Sequence, residues 1–220
     1  MYNERLIHTL SLIMIFTSVS AVEARNLRMA AYAYAGQALL ICALILAFAQ
    51  GNSALYWWAG VAFITKALIT PWLLVAYVRR TVDREIRGIV GFIPSVVIAS
   101  VLLVSFYQLT HTYADFLAPT ATAAQGVFRT NLAVALTVFL VGLYAILSRR
   151  DAIKTVVGLC LLENAVHLSL VSLAPNIRET ALVGITTEVV ITVYLLLYII
   201  SGIYQKFGST DTYQLSELHW

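Results

Sequence analysis

Charge is scarce in this 220-residue sequence: 11% of its residues are Asp, Glu, Lys or Arg, against about 25% in an ordinary soluble domain. With 60% hydrophobic residues, that shortage excludes a soluble globular domain. Cysteine is nearly absent. Cys42 and Cys160 stand alone inside apolar runs, so no Cys-x-x-Cys metal or redox motif and no disulfide framework can be written. No nickel, iron-sulfur or zinc centre can be built from such a set. The net charge of +3 comes from arginines at the ends of apolar runs and makes no basic patch for nucleic acid.

Long apolar runs are what the sequence has in abundance. Seven of them, near residues 6–23, 29–49, 54–78, 88–108, 129–148, 155–173 and 181–204, are each long enough to cross a hydrocarbon core of about 30 Å. An open sheet edge finds no partner in lipid, and the alternating pattern of an outer-membrane barrel is missing. The sequence therefore predicts an all-α, polytopic membrane protein of seven transmembrane helices. Val22-Glu23-Ala24 loosely resembles a leader cleavage site. Glu4 beside Arg5 leaves the preceding segment without net positive charge, however, and a second apolar run follows at once, so the first run reads as a span.

Basic residues set the orientation. Arg25, Arg28, Arg79, Arg80, Arg84, Arg87, Arg149, Arg150, Lys154 and Lys206 fall on one side, and Arg5, Arg129 and Arg178 on the other. The positive-inside rule then puts the N-terminus outside and the C-terminus in the cytoplasm. Residues 110–128 read as an outer loop, residues 205–220 as a short polar tail suited to docking on a cytoplasmic partner. Trp57 and Trp58 fit an aromatic belt.

A shift of 122 residues lays Gly60–Thr70 on Leu182–Thr192, matching Thr65 with Thr187, Ile69 with Ile191, Thr70 with Thr192, and Lys66 with Glu188. Spans one to three then form a degenerate copy of spans five to seven, a parallel 3+3 repeat about an axis along the membrane normal. This divides the chain into a first repeat (1–80), a connecting helix and outer loop (81–128), a second repeat (129–204) and the tail (205–220).

Most ionisable residues lie at span ends, where long side chains snorkel to water. Lys66, Glu163, His167 and Glu188 do not. An ion at mid-membrane costs about 2.5–3.5 kcal/mol on insertion scales, which makes each a candidate for a proton or ion path; the plain alternative is helix-to-helix pairing. Glu163 and His167 are spaced i, i+4 and share a face with Cys160 and Asn164. Counting about 1.5 Å per residue puts Lys66 and Glu163 at one depth and His167 and Glu188 at another. The expected arrangement is a stepped row around a common interior seam, with Thr65, Thr70, Asn164, Thr187 and Thr192 as relay or water-holding groups. Pro71, lacking an N–H, is expected to loosen the backbone beside Lys66. Haem usually wants two axial ligands at one depth, and of the four histidines only His167 is mid-span.

Three stretches carry a family likeness. Ala62-Phe63-Ile64-Thr65-Lys66-Ala67-Leu68-Ile69-Thr70-Pro71, Leu162-Glu163-Asn164-Ala165-Val166-His167-Leu168 and Asp211-Thr212-Tyr213-Gln214-Leu215-Ser216-Glu217-Leu218 resemble the hydrogenase-4 component E family over essentially the whole chain. The last three spans also resemble the K subunit of respiratory complex I and the C subunit of Mrp-type antiporters, which carries two intramembrane glutamates implicated in proton transfer. Glu188 matches the one on the third helix of that subunit. The other is expected at Cys160, and here the acid stands at Glu163, about one turn away. The resemblance implies a non-catalytic subunit of a membrane-bound [NiFe] hydrogenase or formate hydrogenlyase-type complex. It would lie in a bacterial or archaeal inner membrane beside antiporter-like subunits, without a cofactor of its own. Whether it conducts protons (or sodium) or only scaffolds stays open at this stage. Two other readings are an autonomous transporter, against which the scarcity of matched Gly or Pro breaks speaks, and a retinal protein, whose lysine belongs in the last span, where this chain has Glu188.

Overall fold

In hydrocarbon, backbone N–H and C=O groups have only one another as partners, so each apolar run closes into a helix. The computed structural model describes residues 3–50, 52–81, 89–117, 119–120, 126–173 and 179–212. Its helices are α1 (Glu4–Glu23), α2 (Leu27–Phe48), α3 (Ser53–Ala62), a π-helical segment (Phe63–Ile69), α4 (Thr70–Val78), α5 (Phe92–Thr112), α6 (Ala114–Leu117), α7 (Gly126–Ser148), α8 (Ala152–Leu173) and α9 (Glu179–Phe207). The segment α3–π–α4 is one continuous span, and among the described residues seven helices are long and apolar enough to cross a membrane. Arg84, Arg87, Arg178 and the tail from Tyr213 lie outside the described residues.

Helix starts follow from local chemistry. Asn3, Asn26 and Asn52 accept from the N–H groups of Leu6, Arg28 and Ala54, satisfying donors that an α-helix leaves unpaired at its N-terminus. Asp151 does the same for α8 through Ile153 N–H, at 2.8 Å. The stretch expected as an outer loop is partly helical: α5 continues to Thr112, and α6 and the start of α7 take up more of it. Arg129 ties this end together, donating to the carbonyls of His111 (2.8 Å) and Thr112 (3.2 Å) and pairing with Asp115 at 3.3 Å.

Spans one to three pack on spans five to seven in order: α1 against α7, α2 against α8, and α3–π–α4 against α9. The fourth span, α5, lies outside this group and buries only Ser95, Ala99 and Thr110. At its basic end it is held by polar contacts. Ser95 donates to Glu23 (2.8 Å), accepts from Arg149 (2.9 Å) and meets the Tyr144 hydroxyl (2.7 Å), while Glu23 and Arg149 form a buried ion pair at 2.6 Å. Beside them the Lys154 ammonium donates to the carbonyls of Ala21, Val22 and Ala24, a cation on the unpaired C-terminal carbonyls of α1. The tail, expected to reach for a partner, is fastened to its own chain as far as Thr212. Ala152 N–H donates to Thr210, Thr212 N–H donates to Arg150, and the Thr210 hydroxyl donates to Asp151.

Helices α7 and α8 pack backbone to backbone where they cross, and glycine sets their separation. A Cβ on Gly142 would lie 2.8 Å from the Gly158 carbonyl oxygen and 2.9 Å from Leu162 N, whereas one on Gly36 would meet nothing within 4 Å. Gly142→Ala should therefore lower stability by about 1–3 kcal/mol, the usual cost of overpacking, while Gly36→Ala is neutral or stabilising. Thermal unfolding in detergent reads the difference, and equal melting of the two variants would refute close backbone contact at this crossing.

Candidate functional site

Lys66 faces inward because its helix changes pitch. Trp58, Ala62, Lys66, Thr70, Leu74 and Val78 are all buried, a stripe with four-residue spacing. On a regular helix of 3.6 residues per turn such a stripe drifts about 40° per step. The wider π turn from Phe63 to Ile69 takes back part of that drift. Its signature is the Thr70 N–H donating to the carbonyl of Thr65, five residues back, with the Thr70 hydroxyl on the same oxygen at 2.8 Å. Pro71, having no N–H, follows directly, as expected of a loosened backbone at this point.

The Lys66 side chain is 1% exposed and its ammonium meets one face of α8. It lies 3.0 Å from Glu163 Oε1, donates to Asn164 Oδ1 at 2.7 Å, and contacts His167 Nδ1. His167 Nδ1 is in turn 3.1 Å from Glu163 Oε1. An ammonium has three donors and no acceptor, so three acceptors on one turn and a half of helix replace its water. Receiving at Nδ1, a neutral His167 carries its proton on Nε2. Asn164 is oriented by its own amide, which donates to Gln37 Oε1 on α2 at 2.6 Å. The Trp58 ring covers His167, with centroids 5.5 Å apart, and its indole N–H donates to Thr186 of α9 at 2.8 Å. Three spans thus converge on one cation: the third supplies it, α8 solvates it, and α2 fixes the solvating amide.

Chemically, this is a set of exchangeable protons with little room to rearrange. A proton moved from Lys66 to Glu163 or to His167 leaves the net charge of the cluster unchanged, so little is asked of the surrounding hydrocarbon. A charge brought near one member biases where the proton resides. Among the described residues no three His, Cys, Asp or Glu side chains converge as a metal would require.

Glu163 stands at the edge of the cluster, with its side chain 23% exposed, and borders a cleft of about 350 Å³ between α8 and α9. Cys160, Glu188 and Thr192 line the same cleft. Here the expected row is corrected. Glu188 is exposed on α9 and makes no hydrogen bond or ion pair among the described residues; it faces the cleft that Glu163 borders, and His167 does not line that cleft. The reason lies in pitch. The buried stripe of α9, Leu182, Thr186, Val189, Val193, Leu197 and Ile200, has ordinary 3.6-residue spacing, so Glu188 falls beside that stripe, whereas the π turn carries Lys66 onto the buried stripe of its own span.

The threonines also separate. Thr65 and Thr70 are buried, but their hydroxyls donate to the carbonyls of Val61 and Thr65. Thr187 is exposed and bonds its own helix at Val183, and Thr192 is an exposed wall of the cleft. Asn164 alone of the five joins the cluster. Gln37, Trp58 and Thr186 belong to the site and have no motif to announce them. Trp58, expected in the interfacial belt, is 1% exposed and packed inside the bundle, whereas Trp57 is 69% exposed.

Comparison with known proteins fits these positions. The family model for NADH-ubiquinone/plastoquinone oxidoreductase chain 4L matches residues 130–220, which hold α8, α9, Glu163, His167 and Glu188. Hydrogenase-4 component E of Escherichia coli (strain K12) is 29% identical over 222 residues, 99% of both chains, and that of Shigella flexneri gives the same figures. A protein of Mycobacterium tuberculosis (strain ATCC 25618 / H37Rv), described as uncharacterized, is 24% identical over 210 residues, 93% of this chain and 92% of its own length. No solved structure matches significantly. The chain is therefore similar to hydrogenase-4 component E along its whole length, and its last three spans match the chain 4L family model.

Proposed function

We propose that the protein is a non-catalytic subunit of a hydrogenase-type membrane complex, in a bacterial or archaeal inner membrane, through which protons or sodium ions are moved as partner subunits carry out redox chemistry. The observation that carries this reading is the Lys66 ammonium 3.0 Å from Glu163 inside the helical core, beside a cleft across which stands a second carboxylate, Glu188. The whole-length relation to hydrogenase-4 component E supports the hydrogenase setting. The chain 4L region supports a complex I-like one.

In this reading Lys66, Asn164 and His167 hold the inner end of the path, and Glu163 is the gate between them and the cleft. Glu188 is the outer station. A carboxylate facing hydrocarbon costs about 2.5–3.5 kcal/mol on insertion scales, so the side of α9 that borders the α8–α9 cleft is read as covered by an antiporter-like subunit of the complex. A charge arriving there pulls on the proton of Glu163, and through it on Lys66 and His167.

Glu188→Gln should abolish ion pumping coupled to hydrogen turnover and leave hydrogen oxidation with an artificial dye nearly intact. Proteoliposomes holding the whole complex, followed with a pH-sensitive dye and with a sodium tracer, measure both; undiminished pumping would turn the reading to scaffolding. Lys66→Met should lower stability toward the lower end of about 3–5 kcal/mol, because Glu163 loses its counter-charge. Adding Glu163→Gln should recover most of that in thermal unfolding, with pumping absent from both variants. A double variant no more stable than Lys66→Met alone would show that the pair is not coupled.

A further inference from the structure

A second groove, away from the Lys66 cluster, runs between α4 and α9 with a volume of about 270 Å³. Its walls include Trp72, Ala76, Tyr77, Arg80, Tyr198 and Ser201. Arg80 is exposed at the end of the groove, just past the last turn of α4, with no carboxylate paired to it among the described residues. Trp72 and Tyr198 are 67% and 69% exposed, so the groove opens sideways toward the bilayer. Tyr77 forms the floor: it is 8% exposed and its buried hydroxyl has no hydrogen-bond partner.

The spacing along α4 has the order of a phospholipid. Arg80 lies at the membrane surface, Tyr77 three residues deeper, about 4.5 Å, and Trp72 eight residues deeper, about 12 Å. A cation and then an apolar channel ending inside one leaflet of a roughly 30 Å core match in turn a phosphate and an acyl chain. Basic pockets between spanning helices on the cytoplasmic side are sites for anionic head groups, and the count of arginines places Arg80 on that side. Arg79 beside it and Lys206 at the foot of α9 are also exposed but do not line the groove.

We propose that this groove binds one anionic phospholipid, its phosphate on Arg80 and one acyl chain along the Tyr77 ring and Ala76. An anionic head group gains about 1 kcal/mol per basic side chain near the surface, roughly fivefold in occupancy.

Native mass spectrometry of the protein, extracted in mild detergent with whatever partners accompany it and titrated with phosphatidylglycerol or phosphatidylcholine, tests this. The wild type should bind one phosphatidylglycerol about fivefold more tightly than phosphatidylcholine. Arg80→Gln should erase that preference, Ala76→Phe should reduce binding of both lipids by filling the channel, and Arg79→Gln should change neither. All these positions except Ala76 are exposed ones whose substitution leaves the packing intact, so folding does not confuse the result. Equal binding of the two lipids by the wild type would overturn the proposal, as would phosphatidylglycerol binding unchanged in both Arg80→Gln and Ala76→Phe. So would a photoreactive residue at Tyr198 that cross-links only to another polypeptide.

Discussion

An ammonium ion in the interior of a helical bundle has to be solvated by something other than water, and that requirement organises this molecule. Lys66 is met by a carboxylate, an amide oxygen and an imidazole nitrogen, all from one face of α8. Taken singly, each of the charged groups is a burden in hydrocarbon. Together they offset one another, and the arrangement holds only if α3–π–α4 and α8 keep fixed register and depth. The Gln37–Asn164 bond and the Trp58–Thr186 bond hold that register from α2 and α9.

The π segment converts this local demand into a functional asymmetry. Lys66 on the third span is buried and Glu188 on the seventh is exposed. The halves pack span against span in order, so the difference is one of helix pitch rather than of overall placement. A π turn followed by Pro71 carries Lys66 onto the buried stripe, and an uninterrupted α9 leaves Glu188 beside its stripe. Glu163 comes to lie between them, at the border of core and cleft. The polar contacts of Glu23, Ser95 and Arg149, with Lys154 on the carbonyls of α1, fix the other end of the bundle.

Much of this was legible in the sequence, for physical reasons. Long apolar runs leave no choice but helices, which is why seven spans follow from composition and length. Lys66, Glu163 and His167 stand out because mid-span charge is rare, and the i, i+4 spacing of the last two puts them on one face without further information. Glu188 was misplaced because depth along a helix can be counted from sequence, while the face it presents depends on pitch, and nothing in Phe63–Ile69 announces a π turn except the proline after it. Gln37 and Thr186 carry no charge and sit in runs of ordinary helix formers, so their contact with the site depends on packing between distant spans. Glu23 and Arg149 looked like residues at span ends reaching for water, and their mutual burial depends on α5 being held there through Ser95.

The central claim is that Lys66, Glu163 and His167 share protons as one unit answering to charge at the cleft. Infrared difference spectroscopy of the working complex, in the carboxyl C=O region, tests it most directly. The account predicts a turnover-dependent carboxyl band that vanishes in Glu163→Gln and shifts when His167 is replaced by Asn. A spectrum with no carboxyl change assignable to Glu163, or one indifferent to His167, would contradict it.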